Sequence, residues 1–106
     1  MRLGAYDCTI KPGTKAFSAY RSKKVSERHR HRFEVNNRYK KKLEKAGIII
    51  SGINEELGVV ETIEISEHPW FVAGQFHPEL KSRVNKAHPL FREFIKSSKK
   101  YNAQRK

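Results

Sequence analysis

The sequence predicts an α/β fold, in which helices flank a sheet, over a chain of 106 residues. Runs rich in β-branched and aromatic residues, such as Val59–Ile65 and Trp70–Ala73, have the length and composition of strands. Other stretches space their apolar residues like one face of a helix, and Leu90–Ile95 is the clearest of them. Neither a repeat nor a domain boundary is visible. The pattern therefore indicates one small domain, or a piece of a larger one.

The N-terminal part predicts a strand, a short helix and a second strand. Residues 1–10 read as a strand, Lys11–Gly13 as a turn, and Lys15–Tyr20 as a helix capped by Thr14. The second strand covers 25–36, and its alternation separates two kinds of side chain. One face carries Arg28, Arg30 and Arg32, and the other carries His29, His31, Phe33 and Val35. Adjacent guanidiniums repel one another, so the arginine face predicts something anionic beside it.

The middle of the chain predicts a helix followed by a strand pair. Asn36 or Asn37 can cap a helix that runs to about Ala46, with Tyr39, Leu43 and Ala46 as its inward stripe. The next segments read as the start of a strand, a loop and a returning strand: Ile48–Ile50, Gly52–Gly58 and Val59–Ile65.

The segment Trp70–Phe76 predicts the central buried strand, and it ends abruptly in His77, Pro78 and Glu79. Pro78 lacks an N–H and pushes His77 into an extended conformation, so the turn is stiff. A catalytic histidine needs a rigid position and a second group that fixes its tautomer. His77 and Glu79 are therefore the candidate catalytic pair. The alternative is a surface histidine beside a solvated glutamate.

The C-terminal part predicts a helix and a tail. Pro89 suits the first helical position, and the apolar face that follows consists of Leu90, Phe91, Phe94 and Ile95. We assign residues 1–98 to the domain portion and 99–106 to a basic tail.

Composition narrows the classes of function. The formal net charge is +12, which favours phosphate-bearing partners or a surface normally covered by something acidic. A single cysteine excludes an internal disulfide framework and predicts a reducing, cytoplasmic location. The sequence predicts no membrane-spanning segment and no signal peptide.

Four segments together closely resemble CTP synthase, an enzyme with a class I glutamine amidotransferase (glutaminase) domain. They are Met1–Tyr6, followed by Cys8; Glu27–Asn37, with its Arg-His-Arg-His-Arg run; His68–Val72; and Gln75–Glu79. The resemblance runs from Met1 to about Ile95. It implies the last part of that domain, with a mixed sheet, flanking helices and an incomplete N-terminal side.

The resemblance also implies a function. CTP synthase hydrolyses glutamine in this domain and passes ammonia to a synthase domain, where UTP, ATP and Mg²⁺ react to give CTP. His77 and Glu79 match the histidine and glutamate of the catalytic triad, and Arg32 matches the arginine that helps to hold glutamine. No cofactor or metal is expected in this chain. The expected partners are glutamine and the remainder of the enzyme, which is a homo-oligomer.

The nucleophile of the triad is missing from the sequence. In this family it is a cysteine in a Gly-x-Cys-x-Gly elbow that opens a helix, where the helix N-terminus lowers the thiol pKa. Cys8 has no glycine beside it, so we interpret it as a small buried side chain. We therefore expect the chain alone to be inactive.

Other functions remain open on the sequence. The chain could be one subunit of a split amidotransferase, or a basic nucleic-acid-binding module that uses its arginine face. The scattered basic residues and the lack of an RNA-binding motif argue against nucleic acid. His29 and His31 share a strand face and could bind a metal, but no cysteine or acidic residue lies at ligand spacing.

Overall fold

The computed structural model describes residues 2–31 and 34–104. The order of elements confirms the predicted α/β class. The strands are β1 (Arg2–Ile10), β2 (Lys24–His31), β3 (Ile48–Asn54), β4 (Val59–Ile65) and β5 (Val72–Gly74). The helices are α1 (Lys15–Tyr20), α2 (Lys40–Lys45) and α3 (Pro89–Gln104), with 3₁₀ turns at Asn37–Tyr39 and Pro78–Leu80.

The five strands form one sheet in the order β2-β1-β3-β4-β5, and each of these neighbouring pairs is antiparallel. The prediction that Trp70–Phe76 forms the central strand is wrong. β5 contains only three residues and lies at the end of the strand order. Trp70 and Phe71 precede it outside the strand, and Phe71 is 37 % exposed.

The sheet curls so strongly that its two ends approach each other. His77 N donates to Arg28 O of β2 at 2.8 Å, and Gln75 N donates to Glu61 O of β4 at 2.9 Å. In a flat sheet β2 and β4 would lie about 14 Å apart, because β1 and β3 lie between them and each of the three inter-strand spacings is roughly 4.8 Å. The residues after β5 therefore bridge β4 and β2. The curl buries Phe76 of this bridge, which the sequence had assigned to a central strand.

The helix α1 packs on this sheet through a cap and a buried carboxylate. Thr14 accepts from Phe17 N at 3.2 Å, as predicted. Glu64 of β4, only 1 % exposed, accepts from Lys15 N at 2.8 Å and from Ala16 N at 2.7 Å. A carboxylate suits the positive end of a helix and satisfies its unpaired N–H groups. These bonds fix α1 against the end of β4.

Two buried apolar clusters lie between the sheet and the helices. One cluster joins the sheet to α1, and the other joins the end of the β5 segment to α1 and α3. Their buried members are Cys8, Ile10 and Ala16 in the first, and Ala19, Phe76 and Leu90 in the second. Phe76 is thus the buried anchor immediately before His77.

Two helical faces are less buried than the sequence predicted. The predicted helix after Asn36 is divided into a 3₁₀ turn and α2, and Tyr39 is 52 % exposed. Ala46 is exposed as well, so of the predicted stripe only Leu43 is partly buried. These two elements have no buried residue.

The apolar face predicted for the last helix is buried only at Leu90, while Phe91, Phe94 and Ile95 are 40 %, 50 % and 56 % exposed. The helix α3 also continues to Gln104, through most of the segment assigned to a tail. Within the described residues, no helix combines the length and the apolar character needed to cross a membrane.

Candidate active site

The candidate pair lies on a turn between β5 and α3. His77 is extended, with φ −109° and ψ 90°, and Pro78 occupies the first position of the following 3₁₀ turn. This is the conformation expected for a residue before proline. Phe76 is 4 % exposed, whereas the side chains of His77 and Glu79 are 41 % and 56 % exposed. The buried side chain of Phe76 thus fixes the start of a turn on which the imidazole of His77 and the carboxylate of Glu79 are accessible.

His77 and Glu79 are brought together as their spacing suggested. His77 Nδ1 lies 3.3 Å from Glu79 Oε1. A carboxylate on Nδ1 favours the tautomer that carries its proton there, which leaves Nε2 available to accept a proton. The same carboxylate would stabilise the imidazolium that forms when Nε2 is protonated. The pair can therefore perform general acid and base chemistry on a reactant placed beside Nε2.

Backbone hydrogen bonds hold the turn in place. His77 N donates to Arg28 O at 2.8 Å, which ties the histidine to β2. Within the turn, Leu80 N donates to His77 O and Lys81 N donates to Pro78 O, each at 3.0 Å. The position of the imidazole is therefore set by the backbone of β2 as well as by the turn itself.

The third predicted site residue, Arg32, lies outside the described residues, together with Phe33. The strand that leads toward it, β2, has the predicted alternation: Glu27 and His29 are buried, while Arg28 and Arg30 are exposed. Its assignment to glutamine binding stays a prediction.

Cys8 is buried in the sheet, as predicted. It is 0 % exposed and belongs to the cluster of Ile10 and Ala16. Its Sγ lies so close to Gly52 that a Cβ built on the glycine would be 2.7 Å away. A thiol enclosed on β1 in this way is inaccessible to a substrate in solution.

The sequence interpretation missed a set of buried acidic residues. Glu27, Glu61 and Glu64 are each 1 % exposed. Glu27 bonds His88 Nε2, and Glu61 Oε2 lies 2.8 Å from His29 Nε2. The alternation of β2 places Glu27 on the same face as His29. This was the only signal in the sequence that could have indicated the burial of Glu27. No group of three potential metal ligands occurs among residues 2–31 and 34–104.

Comparison with known proteins places this chain in a family. The model of the class I glutamine amidotransferases matches residues 1–97. The chain belongs to this family. The resemblance to CTP synthase drawn from the sequence is confirmed as well. Curated relatives named CTP synthase include those of Methanosphaera stadtmanae, 61 % identical over 99 residues, and Symbiobacterium thermophilum, 56 % identical over 106 residues.

The chain spans about a fifth of these relatives. The two alignments cover 93 % and 100 % of this chain but 18 % and 20 % of the relatives. Among solved structures, the glutaminase domain of Trypanosoma brucei CTPS with bound acivicin superposes with a TM-score of 0.88 at 37 % identity. That match covers 94 % of this chain and 40 % of the other. The fold is therefore that of a part of a glutaminase domain.

Proposed function

We propose that this chain is the C-terminal part of a CTP synthase and supplies half of its glutaminase site. The observation that supports this proposal most directly is the contact between His77 Nδ1 and Glu79 Oε1, on a turn that is hydrogen-bonded to β2. The matches to CTP synthases support the same function. The synthase part would bind UTP, ATP and Mg²⁺. We assign no cofactor to the residues of this chain, and we assign the whole homo-oligomeric enzyme to the cytoplasm.

In the proposed reaction, a cysteine thiolate from the rest of the domain attacks the side-chain amide carbon of glutamine. His77 Nε2 takes the proton of the cysteine thiol and passes it to the leaving nitrogen as the C–N bond breaks, so ammonia departs and the thioester remains. His77 then removes a proton from water, which attacks the thioester carbon. The C–S bond breaks, the cysteine sulfur takes that proton back from His77, and glutamate is released. Glu79 orients the imidazole throughout. Arg32 would bind the substrate carboxylate, which a guanidinium can grip through two parallel hydrogen bonds.

The gene itself tests whether this chain is part of a longer enzyme. We expect the reading frame to continue upstream of the Met1 codon and to encode a Gly-x-Cys-x-Gly elbow. A stop codon just upstream, with an elbow encoded by a neighbouring gene, would instead support a split amidotransferase. A stop codon with no such elbow nearby would contradict both, and the arginine face of β2 would then be tested for salt-dependent binding of nucleic acid.

Replacement of Glu79 by glutamine tests the orienting role. The test uses a chimera, in which this chain replaces the matching segment of the M. stadtmanae CTP synthase. We expect Glu79→Gln to lower kcat for glutamine hydrolysis by about 100-fold, because the amide keeps the shape but loses the charge that stabilises the imidazolium. The loss should be smaller than for a buried carboxylate, since the Glu79 side chain is 56 % exposed and water can partly replace it. A kcat within about threefold of the unmodified chimera would contradict the role.

A further inference from the structure

The turn of residues 77–81, here called the catalytic turn, contacts three consecutive residues of β2, which are Ser26, Glu27 and Arg28, directly or through other side chains. His77 N donates to Arg28 O at 2.8 Å, and Lys81 Nζ donates to Ser26 O at 2.6 Å. Glu27 lies between these two residues, and its side chain is buried on the face of β2 opposite to the exposed side chains of Ser26 and Arg28. We propose that Glu27 is a positioning residue for the His77 turn. This inference rests on the glutaminase function proposed above.

The Glu27 carboxylate is the centre of a buried hydrogen-bond cluster. Its Oε2 accepts from the Tyr20 hydroxyl of α1 and from Nε2 of His88, the residue before α3. Leu90 N donates to His88 Nδ1 at 3.1 Å, so Nδ1 is an acceptor and the imidazole proton lies on Nε2, where it faces Glu27. Burial, and then the bond to Glu27, raise the pKa of Tyr20 far above its usual range, which keeps the phenol a donor. All three groups are therefore held in defined roles.

The cluster is connected to the catalytic turn by a short chain of bonds. His88 N donates to Ser82 Oγ at 3.0 Å, and Ser82 N donates to Pro78 O at 3.1 Å. Through His88, Glu27 thus holds the segment after the turn. Arg28, the next residue of β2, holds His77 itself. The turn is therefore bonded directly to Arg28 and indirectly, through Ser82 and His88, to Glu27. A displacement of the Glu27–His88 contact would be transmitted to the imidazole.

The chemistry of the cluster favours a role for Glu27 in positioning the turn over a role in packing alone. Glu27 and His88 are 1 % and 4 % exposed, and burying such groups costs more than burying an apolar pair of the same volume. Hydrogen bonds differ from apolar contacts because they specify direction and distance. The side chains of His77 and Glu79 are 41 % and 56 % exposed, so packing of these side chains constrains them only in part. A rigid support under the turn supplies that constraint.

The test compares two buried glutamates in the chimera. Glu27→Gln keeps the size of the side chain but replaces one oxygen by an NH₂ group, so the two donors on Oε2 lose their charged acceptor. We expect kcat for glutamine hydrolysis to fall about tenfold with KM changed by less than about twofold, because the imidazole is misplaced while the substrate contacts remain. CTP formation from added ammonia should be unchanged, since it needs no glutaminase chemistry.

Glu64→Gln is the matched control. Glu64 is as buried as Glu27, but it accepts from Lys15 N and Ala16 N at the start of α1, whereas Glu27 bonds His88 in the segment after the turn. We expect this variant to lower the melting temperature of the chimera while kcat stays within about twofold. Equal losses of kcat in the two variants would assign the effect to general stability and overturn the proposal. An unchanged kcat in Glu27→Gln would overturn it as well.

Two further variants keep the outcome decisive. If Glu27→Gln prevents folding, Tyr20→Phe removes a single donor from the same carboxylate, and we expect it to lower kcat about threefold at unchanged KM. A folded Tyr20→Phe variant with unchanged kcat would then overturn the proposal. His77→Ala separates the two claims, because full glutamine hydrolysis without His77 would refute the proposed function itself. Loss of activity in His77→Ala but not in the cluster variants would refute only the positioning role.

Discussion

Replacing His77 by alanine in the chimera is expected to lower kcat for glutamine hydrolysis by about a thousandfold or more. The reaction needs a proton donor for the departing ammonia and a base for the incoming water, and His77 would supply both. The Nε2 atom of His77 is available for this because Glu79 lies 3.3 Å from Nδ1. Enzyme-coupled detection of glutamate measures the rate directly. CTP formation from added ammonia should remain, because that reaction bypasses the site.

A second histidine of the chain provides the control for this prediction. His68 is exposed and accepts a local hydrogen bond from Trp70 N at 3.0 Å, outside the catalytic turn. His68→Ala should leave the rate of glutamine hydrolysis within about twofold. If both variants lost activity equally, or if neither did, His77 would have no special role.

Gly52→Ala is expected to destabilise the domain by about 2–3 kcal/mol, through overpacking rather than through any effect on the chemistry. A Cβ at Gly52 would lie 2.6 Å from Thr62 Oγ1 and 2.7 Å from Cys8 Sγ. Both neighbours are buried, and Thr62 Oγ1 is also bonded to Ser51 Oγ at 2.6 Å, so neither side chain can move aside cheaply. The temperature at which the chimera loses half of its glutaminase activity measures the effect.

The substitution Cys8→Ala tests whether the close contact with Cys8 causes the loss of stability in Gly52→Ala. Removing the Cys8 thiol from the Gly52→Ala variant removes one of the two close contacts, so part of the stability should return. The single variant Cys8→Ala should hydrolyse glutamine at a rate within about twofold of the unmodified chimera, because the thiol is buried away from substrate. A Gly52→Ala variant as stable as the parent would contradict the close packing of β1, β3 and β4. Loss of glutaminase activity in Cys8→Ala would contradict the assignment of Cys8 as structural.

The sequence predicted the elements that local chemistry determines. Thr14 caps α1 at the expected residue, β4 has the expected bounds, and β2 alternates as its residues indicated. These features depend on residues a few positions apart, so a single sequence carries them. The proximity of His77 and Glu79 was predictable for the same reason, since only Pro78 separates them.

The features that depend on distant pairing were not predictable from local patterns. The sequence reading placed the segment before His77 in a central strand, whereas β5 is a three-residue strand at the end of the strand order. The curl of the sheet, which joins His77 to Arg28, depends on contacts between residues 49 positions apart in the chain. The burial of Glu27 depends on Tyr20 and on His88, which lies 61 positions away. Such contacts leave no periodic signal in the sequence.

The release of glutamate from glutamine, by this chain alone and by the chimera, tests the central claim most directly. We expect steady turnover by the chimera and none by the chain alone. The chain would contribute the general base and its orienting carboxylate, while the nucleophile would come from the rest of the enzyme. Steady glutamate release by the chain alone, abolished by His77→Ala, would contradict this account. It would place a complete catalytic site within these 106 residues.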